Sequence, residues 1–347
     1  MSQISPRLLS IGTAAPSHRI TQADVLAILA QAKGKALPQR MAEILGNTGI
    51  KQRYIAMPPE YYFGKRSWPD RARVYEDVAA ELFQTAAEQA LDRAGLKPAD
   101  IGQIVFVSTT GTMTPSLPSR MIATMGFRRN TRCVPLFGYG CAGGVIGLGV
   151  ATDLFRAVPD RPVLLVSLEL CSIAYDHARF EKKDMVALAL FADGCAAAVV
   201  GAGPMDKNAP ELSAFASHVW PDTLDMMGWE IGDTGFDLVL ARDIPMFVNS
   251  HFAPVCDAFL EACELTKADI AEPACHPGGG RVVDALAEYL GDDLATTRAV
   301  LRAKGNMSSP TVLFVLDALL ARGQLTKPTL MTALGPGFVG AMGLLRP

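Results

Sequence analysis

Short apolar runs alternate with helical patterns along the chain. The runs at 101–109, 161–170 and 194–203 are rich in Val, Ile and Leu, which is typical of strands buried on both faces of a sheet. Residues 74–96 carry apolar side chains at helical spacing and reach a glycine after the last turn, and this pattern predicts a helix. The chain is therefore predicted to be an α/β protein with a sheet inside and helices outside.

Two segments interrupt this pattern. Glycine, proline and polar residues cluster at 201–214, which indicates a junction between two halves of the chain. We therefore divide the chain into residues 1–205 and residues 206–347. Residues 56–73 combine aromatic and basic side chains without a regular period, and we expect an irregular insertion that acts as a lid or an interface.

Composition limits the classes of protein that fit this pattern. The 347 residues are 50% hydrophobic, which is enough for the core of one large domain or two ordinary ones. The formal net charge is −3, with acidic and basic residues interspersed, so nucleic acid is not an expected partner. The first residues lack the basic and long apolar regions of a signal peptide, and no apolar run approaches the ~18 residues of a membrane span. We therefore expect a cytoplasmic protein without stable membrane insertion.

Cysteine usage points to the same compartment. Seven cysteines without a secretion signal favour free thiols in a reducing cytoplasm. No CxxC pair occurs, and only Cys275 and His276 place two soft metal ligands side by side. A zinc site is therefore not expected.

Residues 134–155 predict a strand, a tight glycine turn and a helix. The turn contains Gly138, Gly140 and Gly143 at the GxGxxG spacing that cradles a dinucleotide pyrophosphate. Such a cradle also needs an acidic residue roughly 20 positions further on, and Glu169 comes about ten residues too late. A dinucleotide site is therefore the poorer explanation of this turn.

Cys141, within the same turn, is a better candidate for chemistry. The thiolate is the nucleophilic form of cysteine, and the unpaired N–H groups at a helix start lower the pKa of a thiol. The surrounding glycines leave room for a substrate to approach the sulfur atom. The alternative is a small buried core thiol, which is our interpretation of the other six cysteines.

Two polar residues in the second half are candidate partners for Cys141, because a nucleophilic cysteine needs a base and an assisting group. His276 ends a short segment that passes through Pro277 and three glycines into a helix, and such a strand end presents side chains to a cleft. Asn306 precedes an apolar helix in 303–320 that echoes the helix after Cys141, which suggests internal duplication. Alternatively, His276 is a structural histidine, and Asn306 is a helix N-cap instead of a hydrogen-bond donor to an oxyanion.

The segments around these residues resemble the thiolase-like condensing enzymes, and more closely the type III polyketide synthases of the chalcone synthase-like family. The matching pieces follow the family's order and span nearly the whole chain. They are GIKQRYI (49–55), GCAGG (140–144), ALFADGCAAAVVGA (189–202), HPGGGRVVDAL (276–286), GNMSSPTVLFVLDAL (305–319) and ALGPGFVGAMGLL (333–345). The resemblance implies a thiolase-like five-layered αβαβα fold with two duplicated halves, forming a homodimer.

The resemblance also implies roles for the three candidate residues. Cys141 is the acyl-accepting nucleophile, held as a thiolate against His276. His276 and Asn306 stabilise the enolate that forms when malonyl-CoA loses carbon dioxide, and the oxyanion of each condensation with an acyl-CoA starter. CoA thioesters are the substrates, and no metal or redox cofactor is required.

Further matching positions define a cavity for the growing chain. Phe191 and Phe236 match the two gatekeeper phenylalanines between the CoA tunnel and the elongation cavity, although composition alone favours ordinary core aromatics. Gly335, Pro336 and Gly337 match the glycine loop that shapes the cyclisation cavity, a sequence that by itself indicates only a turn. The resemblance thus predicts that these five residues bind substrate.

Departures from the plant enzymes of the family predict the starter. Cys171 and Ala174 stand where the plant enzymes have two threonines, and a cysteine at the first position resembles the bacterial branch. Thr114 stands where they have a methionine that reaches across the dimer. Ser308 is also predicted to bind substrate, and Lys51 aligns with a basic residue at the CoA mouth. The smaller side chains at the departures from the plant enzymes predict added apolar volume in the cavity. We therefore expect a medium or long fatty acyl starter and alkylpyrone or alkylresorcinol products.

Other functions use related residues. A ketoacyl-ACP synthase III-like enzyme makes a single condensation with the same set of Cys, His and Asn residues. The HPGG, GNMSS and GPG sequences and Phe191 favour the polyketide enzyme instead. A thiolase needs a second cysteine near the carboxyl end, and the last cysteine here is Cys275. A catalytically silent scaffold is disfavoured by the intact set of Cys141, His276 and Asn306.

Overall fold

The computed structural model describes residues 4–33, 45–63, 65–174, 182–202, 209–233, 235–241, 243–323 and 325–347. Within these residues the strands are β1 Arg7–Ala14, β2 His18–Thr21, β3 Gln52–Ile55, β4 Gln103–Val107, β5 Arg132–Leu136, β6 Val163–Leu170, β7 Asp193–Gly201, β8 Glu211–Val219, β9 Met227–Gly232, β10 Gly235–Leu240, β11 Ala274–Cys275, β12 Thr329–Gly335 and β13 Val339–Arg346. The α-helices are α1 Gln22–Lys33, α2 Trp68–Arg93, α3 Leu117–Met125, α4 Gly143–Ala157, α5 Cys171–Ala174, α6 Lys182–Leu190, α7 Ile244–Phe247, α8 Ala253–Ala262, α9 Gly280–Leu290, α10 Ala295–Lys304 and α11 Thr311–Leu320. The predicted α/β class is confirmed.

The three predicted strands are β4, β6 and β7, and every residue in them is buried. They lie inside the sheet, in the order β1-β7-β6-β4-β5. A strand with neighbours on both edges and packed layers on both faces has no solvent-facing positions, so it needs no polar alternation. For this reason the continuous apolar runs in the sequence located these strands correctly.

The predicted helix at 74–96 is confirmed as α2, but it begins earlier, at Trp68. Ser67 caps it: the Ser67 hydroxyl accepts a hydrogen bond from the Asp70 backbone N–H, and the Asp70 carboxylate accepts one from the Ser67 N–H, both at 3.3 Å. This reciprocal capping satisfies backbone donors that the first turn of a helix leaves unpaired. The prediction of an irregular insertion at 56–73 is therefore wrong for residues 68–73, which belong to α2.

The two halves of the chain share one pattern of strand pairing. In the first half, β1 pairs antiparallel with β7, β7 antiparallel with β6, and β6 parallel with β4. In the second half, β8, β13, β12 and β11 repeat the sequence antiparallel, antiparallel, parallel. The halves join where Arg7 of β1 pairs with Glu211 of β8. The predicted boundary between residues 205 and 206 lies outside the described residues and stays a prediction.

Helices and sheets stack in five layers, with three hydrophobic cores between them. The first core packs α2 on the β1-β7-β6-β4-β5 part of one nine-stranded sheet, the central core encloses α4 and α11, and the third packs α8, α9 and α10 on the β11-β12-β13-β8 part. Strand β6 contributes to two cores: Leu164 and Val166 face the first, whereas Val163 and Leu165 face the central one. This is the five-layered αβαβα arrangement that the resemblance implied.

The two central helices approach each other closely at their N-terminal ends. A Cβ atom on Gly144 would lie 2.3 Å from the backbone oxygen of Ser309 and 2.7 Å from Val312. A Cβ atom on Gly143 would lie 3.2 Å from the Cβ of Ser309. Only glycine allows this approach, which brings the turn before α4 next to the segment before α11.

Replacing Gly144 with alanine is expected to destabilise the protein by about 3 kcal/mol, because a Cβ at 2.3 Å from a backbone oxygen forces two packed helices apart. Urea unfolding followed by circular dichroism measures the change. As a control, no atom of the described residues lies within 4 Å of the Cβ position of Gly46. Gly46→Ala is expected to leave stability unchanged or to raise it by up to about 1 kcal/mol. Equal effects of the two substitutions would contradict the close approach.

Candidate active site

Cys141 lies in a tight turn, Gly140–Ala142, that leads directly into α4. The residue is buried, with 7% of its surface exposed. Gly140 has φ +46°, and a Cβ atom there would lie 2.7 Å from the ring of Pro336. The Gly-Pro-Gly loop that contains Pro336 therefore packs against the turn that carries the thiol.

A path of contacts leads from Cys141 to residues of the second half. The Cys141 sulfur lies 3.5 Å from the Ser308 hydroxyl. The Ser308 backbone N–H donates to the Asn306 side-chain oxygen at 2.8 Å, and the Asn306 amide donates to the Gly278 carbonyl at 3.2 Å. The Gly278 N–H in turn donates to the His276 carbonyl at 3.1 Å. The segments that carry the three candidate residues thus meet around one point.

The backbone of Asn306 is fixed against the segment that carries Phe191. The Asn306 N–H donates to the Leu190 carbonyl at 3.1 Å, and the Asn306 carbonyl accepts from the Ala192 N–H at 2.8 Å. Helix α11 begins at Thr311, so Asn306 is not its N-cap. An asparagine amide carries two N–H donors, and among the described residues one of them has a partner, the Gly278 carbonyl. The second donor can serve a ligand oxygen.

His276 follows strand β11 and has an unusual environment. Its backbone N–H donates to the Thr332 carbonyl at 2.7 Å, and the residue is 4% exposed. Neither ring nitrogen has a hydrogen-bond partner within the described part of the chain. Buried polar atoms are nearly always paired in folded proteins, so this unpaired imidazole indicates a site that receives a polar group from a ligand.

Burial acts against the charge state expected for a cysteine at a helix start. It raises the pKa of the Cys141 thiol to about 12 and lowers the pKa of His276 to about 3. Both shifts favour a thiol and a neutral imidazole over a thiolate and an imidazolium ion, because desolvation penalises the charged forms. The resting thiolate that the resemblance implies stays a prediction.

A buried carboxyl group beside the turn was missed by sequence reasoning, which considered Glu169 only as a ribose ligand. Its carboxylate accepts hydrogen bonds from the N–H groups of Thr109 and Thr110, at 3.0 and 2.9 Å, and from the Ser309 hydroxyl at 3.1 Å. Thr109 also accepts the N–H of Gly140 at 3.1 Å. The available signal was an acidic residue inside the otherwise apolar run that forms β6. These bonds fix the turn that carries Cys141.

Glu169 is expected to make stability depend on pH, because burial raises its pKa from about 4.5 to about 7. The folded state binds this proton more tightly than the unfolded state, so the stabilisation is complete below about pH 4.5 and is lost as the pH rises through 7. Glu169→Gln removes this titration. The stability of the variant relative to the parent is expected to rise by about 2–3 kcal/mol between pH 5 and pH 8.

Guanidinium unfolding at the two pH values measures this difference. Burial also raises the pKa of Asp193 to about 7. Asp193 titrates in both proteins, so its contribution to the pH dependence of stability cancels in the comparison. A difference that stays constant with pH would show that Glu169 is ionised in the folded state as easily as in the unfolded chain.

A small pocket adjoins two of the predicted substrate-binding residues. Ala174 and Phe236 line it together with Trp68, Arg71 and Thr110. Cys171, the first residue of α5, is fully buried. Burial, followed by the negative charges of Glu169 and Asp193, raises the pKa of its thiol.

The predicted gatekeepers are joined by a third aromatic residue. The ring centroid of Trp229 lies 5.8 Å from that of Phe191 and 6.1 Å from that of Phe236. Trp68 packs on Phe236 with a centroid distance of 5.5 Å. Sequence reasoning did not single out Trp229, because the isolated strand segment around it carries no motif.

Two predicted site residues lie away from this cluster. Lys51 is exposed, and its backbone N–H donates to the Arg302 carbonyl at 2.9 Å. Thr114 is also exposed, shortly before α3. Their predicted roles, at the CoA mouth and across a dimer, concern molecules outside this chain and stay predictions.

Comparisons with known proteins cover nearly the whole chain. Family models described as "Chalcone and stilbene synthases" match with their N-terminal domain over residues 2–204 and their C-terminal domain over residues 211–343. The chain is similar to a 1,3,6,8-tetrahydroxynaphthalene synthase of Streptomyces peucetius subsp. caesius, with 35% identity over 97% of this chain and 92% of that protein. It is also similar to a putative chalcone synthase of Bacillus subtilis (strain 168), with 31% identity over 95% and 96% of the two chains.

A solved structure agrees with these matches. The 1,3,6,8-tetrahydroxynaphthalene synthase of Streptomyces coelicolor A3(2), a bacterial type III polyketide synthase, has a TM-score of 0.91 and 30% identity, covering 98% of this chain and 99% of that one. Fold, site and matches together define a thiolase-like acyl-transferring enzyme. The chain belongs to the chalcone and stilbene synthase family, and within it to the type III polyketide synthases. Among the residues that the structure describes, no helix has the length and apolar character to cross a membrane.

Proposed function

We propose that this protein extends an acyl group held on Cys141 by decarboxylative condensation with malonyl-CoA, and that the product cyclises. The observation that carries the proposal is the unpaired, buried imidazole of His276 next to the contact path from Cys141 through Ser308 and Asn306. A nucleophile, a base and an amide donor suffice for both acyl transfer and enolate chemistry.

Loading of the starter begins with the thiol and the neutral imidazole. His276 accepts the proton of Cys141 as the sulfur attacks the thioester carbon of the acyl-CoA, and the carbonyl oxygen becomes an oxyanion. The C–S bond to CoA then breaks, and the departing CoA thiolate takes the proton from His276. Burial disfavours separated charges at rest, so the proton moves only when substrate occupies the site. The acyl group remains on Cys141 as a thioester.

Extension uses His276 and Asn306 as hydrogen-bond donors. The C–C bond between the carboxylate and the methylene of malonyl-CoA breaks, carbon dioxide leaves, and the electron pair moves onto the thioester oxygen as an enolate. A neutral imidazole N–H and the second amide N–H of Asn306 stabilise that oxygen in a site that excludes water. The enolate carbon attacks the acyl carbon on Cys141, whose thiolate is the leaving group. The chain, now longer by two carbons, is a CoA thioester that can return to Cys141.

The starter that we propose is a medium or long fatty acyl group, on the basis of the small side chains at Cys171 and Ala174. Ala174 lines a small pocket together with Phe236, so its methyl side chain adds apolar surface beside a predicted gatekeeper. A pyrone, a resorcinol or a related ring is the proposed product, and two of the relatives named above are 1,3,6,8-tetrahydroxynaphthalene synthases.

Incubation with labelled malonyl-CoA and a panel of acyl-CoA starters, read by mass spectrometry, tests this function. We expect labelled cyclic products from unbranched acyl starters. Exclusive use of malonyl-CoA or of an aromatic starter would reject the fatty starter. A single β-ketoacyl product, formed only with an acyl carrier protein, would favour the ketoacyl-ACP synthase III-like alternative.

The remaining parts of the proposal concern the assembly and its surroundings. A homodimer in the cytoplasm is proposed from the resemblance, with Thr114 directed at the partner. Lys51 is proposed to contact CoA. Catalysis is proposed to need only CoA thioesters, because proton transfer and N–H donation from Cys141, His276 and Asn306 supply each step.

A further inference from the structure

Four aromatic rings form a continuous row beside the pocket, which we call the aromatic row: Phe191, Trp229, Phe236 and Trp68. Successive ring centroids are 5.8, 6.1 and 5.5 Å apart, with interplanar angles of 38°, 58° and 52°. These tilted contacts avoid the perfect face-to-face arrangement that aromatic rings disfavour. Trp229 is the member that touches both predicted gatekeepers, so neither phenylalanine can turn without losing a contact with the indole.

The hairpin of β9 and β10 presents Trp229 to the site. Trp229 pairs with Leu238 and Ile231 pairs with Phe236, so these four side chains share one face of the hairpin. Trp229, Phe191 and Leu238 belong to one small apolar cluster, separate from the three main cores. The hairpin is thus docked on the first half through this face, with Trp229 at the contact.

The backbones of both phenylalanines are held in place. The Phe191 N–H donates to the Ala187 carbonyl at 2.9 Å, and the Phe191 carbonyl accepts from the Arg53 guanidinium at 3.2 Å. Phe236 is 4% exposed and is paired with Ile231 in the hairpin. With both backbones held, rotation of the rings is the simplest way to widen the passage between the two phenylalanines. Trp229 packs on both rings and opposes such rotation.

We propose that Trp229 is a specificity-determining residue that restricts the acyl starter to unbranched chains. This inference rests on the proposed function and on the predicted gatekeeper roles of Phe191 and Phe236, which acyl groups pass on their way to Cys141. A polymethylene chain has the cross-section of a single CH₂ group, whereas an aryl or branched acyl group must push the rings apart. Trp229 opposes that displacement, because it is packed on both rings at once.

The experiment measures acyl transfer to the enzyme without any condensation. Hexanoyl-CoA and benzoyl-CoA are added separately, malonyl-CoA is omitted, and the rate of covalent loading is followed by intact-protein mass spectrometry. The variants are Trp229→Ala and Trp229→Phe. Ile231→Ala is the matched control, because it lies on the same face of the hairpin but is 71% exposed and is not part of the aromatic row.

We expect the ratio of benzoyl to hexanoyl loading rates to rise at least about tenfold in Trp229→Ala. A smaller rise is expected in Trp229→Phe, and none in Ile231→Ala. An unchanged ratio in Trp229→Ala, or an equal rise in Ile231→Ala, would overturn the inference. Hexanoyl loading by the parent protein would still support the proposed function in that case. Absence of acyl loading by the parent protein would instead overturn the proposed function itself.

Discussion

Replacing Cys141 with alanine is expected to reduce polyketide formation by at least about 10³-fold, while decarboxylation of malonyl-CoA remains measurable. Without the sulfur no acyl-enzyme can form, so no chain is available for condensation. The donors that stabilise the enolate, His276 and Asn306, belong to other segments of the chain and remain. Release of labelled carbon dioxide and formation of labelled polyketide, measured in the same reaction, separate the two steps.

Cys195→Ala is the matched control for this substitution. Cys195 is a fully buried thiol in β7 that packs in the first core, so its loss is expected to lower stability and to leave the ratio of decarboxylation to condensation unchanged. If Cys141→Ala retained polyketide formation, or if Cys195→Ala abolished it at a temperature where the protein is folded, the nucleophile would have to be sought elsewhere.

Replacing Asn306 with aspartate is expected to lower kcat for decarboxylation and for condensation together, by about 10²–10³-fold. Aspartate keeps the oxygen that accepts the Ser308 N–H, so the local backbone arrangement is preserved. It loses the amide donors, and both reactions develop negative charge on an oxygen at this place. Steady-state kinetics with malonyl-CoA alone and with an acyl starter measures both losses.

The control for Asn306 is Asn249→Asp on the surface, where the amide contacts Glu288 at 3.4 Å. This substitution is expected to leave both rates unchanged. A loss in condensation alone would show that Asn306 does not stabilise the enolate. A rise in KM at constant kcat would show that it contributes only to binding of the ground state.

Local patterns in the sequence predicted much of the fold, because each depends on a nearby physical rule. The fully apolar runs mark β4, β6 and β7, since strands covered on both faces carry no polar alternation. The echo between the segments of Cys141 and Asn306 marks two equivalent central helices, α4 and α11. The start of α2 was missed, although the capping pair Ser67 and Asp70 is a local signal that can be read directly.

The parts of the site that could not be predicted depend on contacts between distant segments. The raised pKa of Cys141 follows from the depth of burial that two packed halves create, which the helix start alone does not reveal. The importance of Glu169 depends on donors from Thr109 and Ser309, which are far from it in the chain. Trp229 gains its position only when its hairpin docks on Phe191. Each of these contacts joins residues that are far apart in the chain, so no local sequence pattern predicts it.

The central claim is that Cys141 carries the acyl group, and peptide mapping of the acylated protein tests it most directly. The enzyme would be incubated with an unbranched acyl-CoA in the absence of malonyl-CoA, digested at acidic pH to preserve thioesters, and analysed by tandem mass spectrometry. The account predicts that the acyl mass lies on the peptide containing Cys141 and is released by hydroxylamine. An acyl group found on another of the seven cysteines, or on none of them, would contradict it.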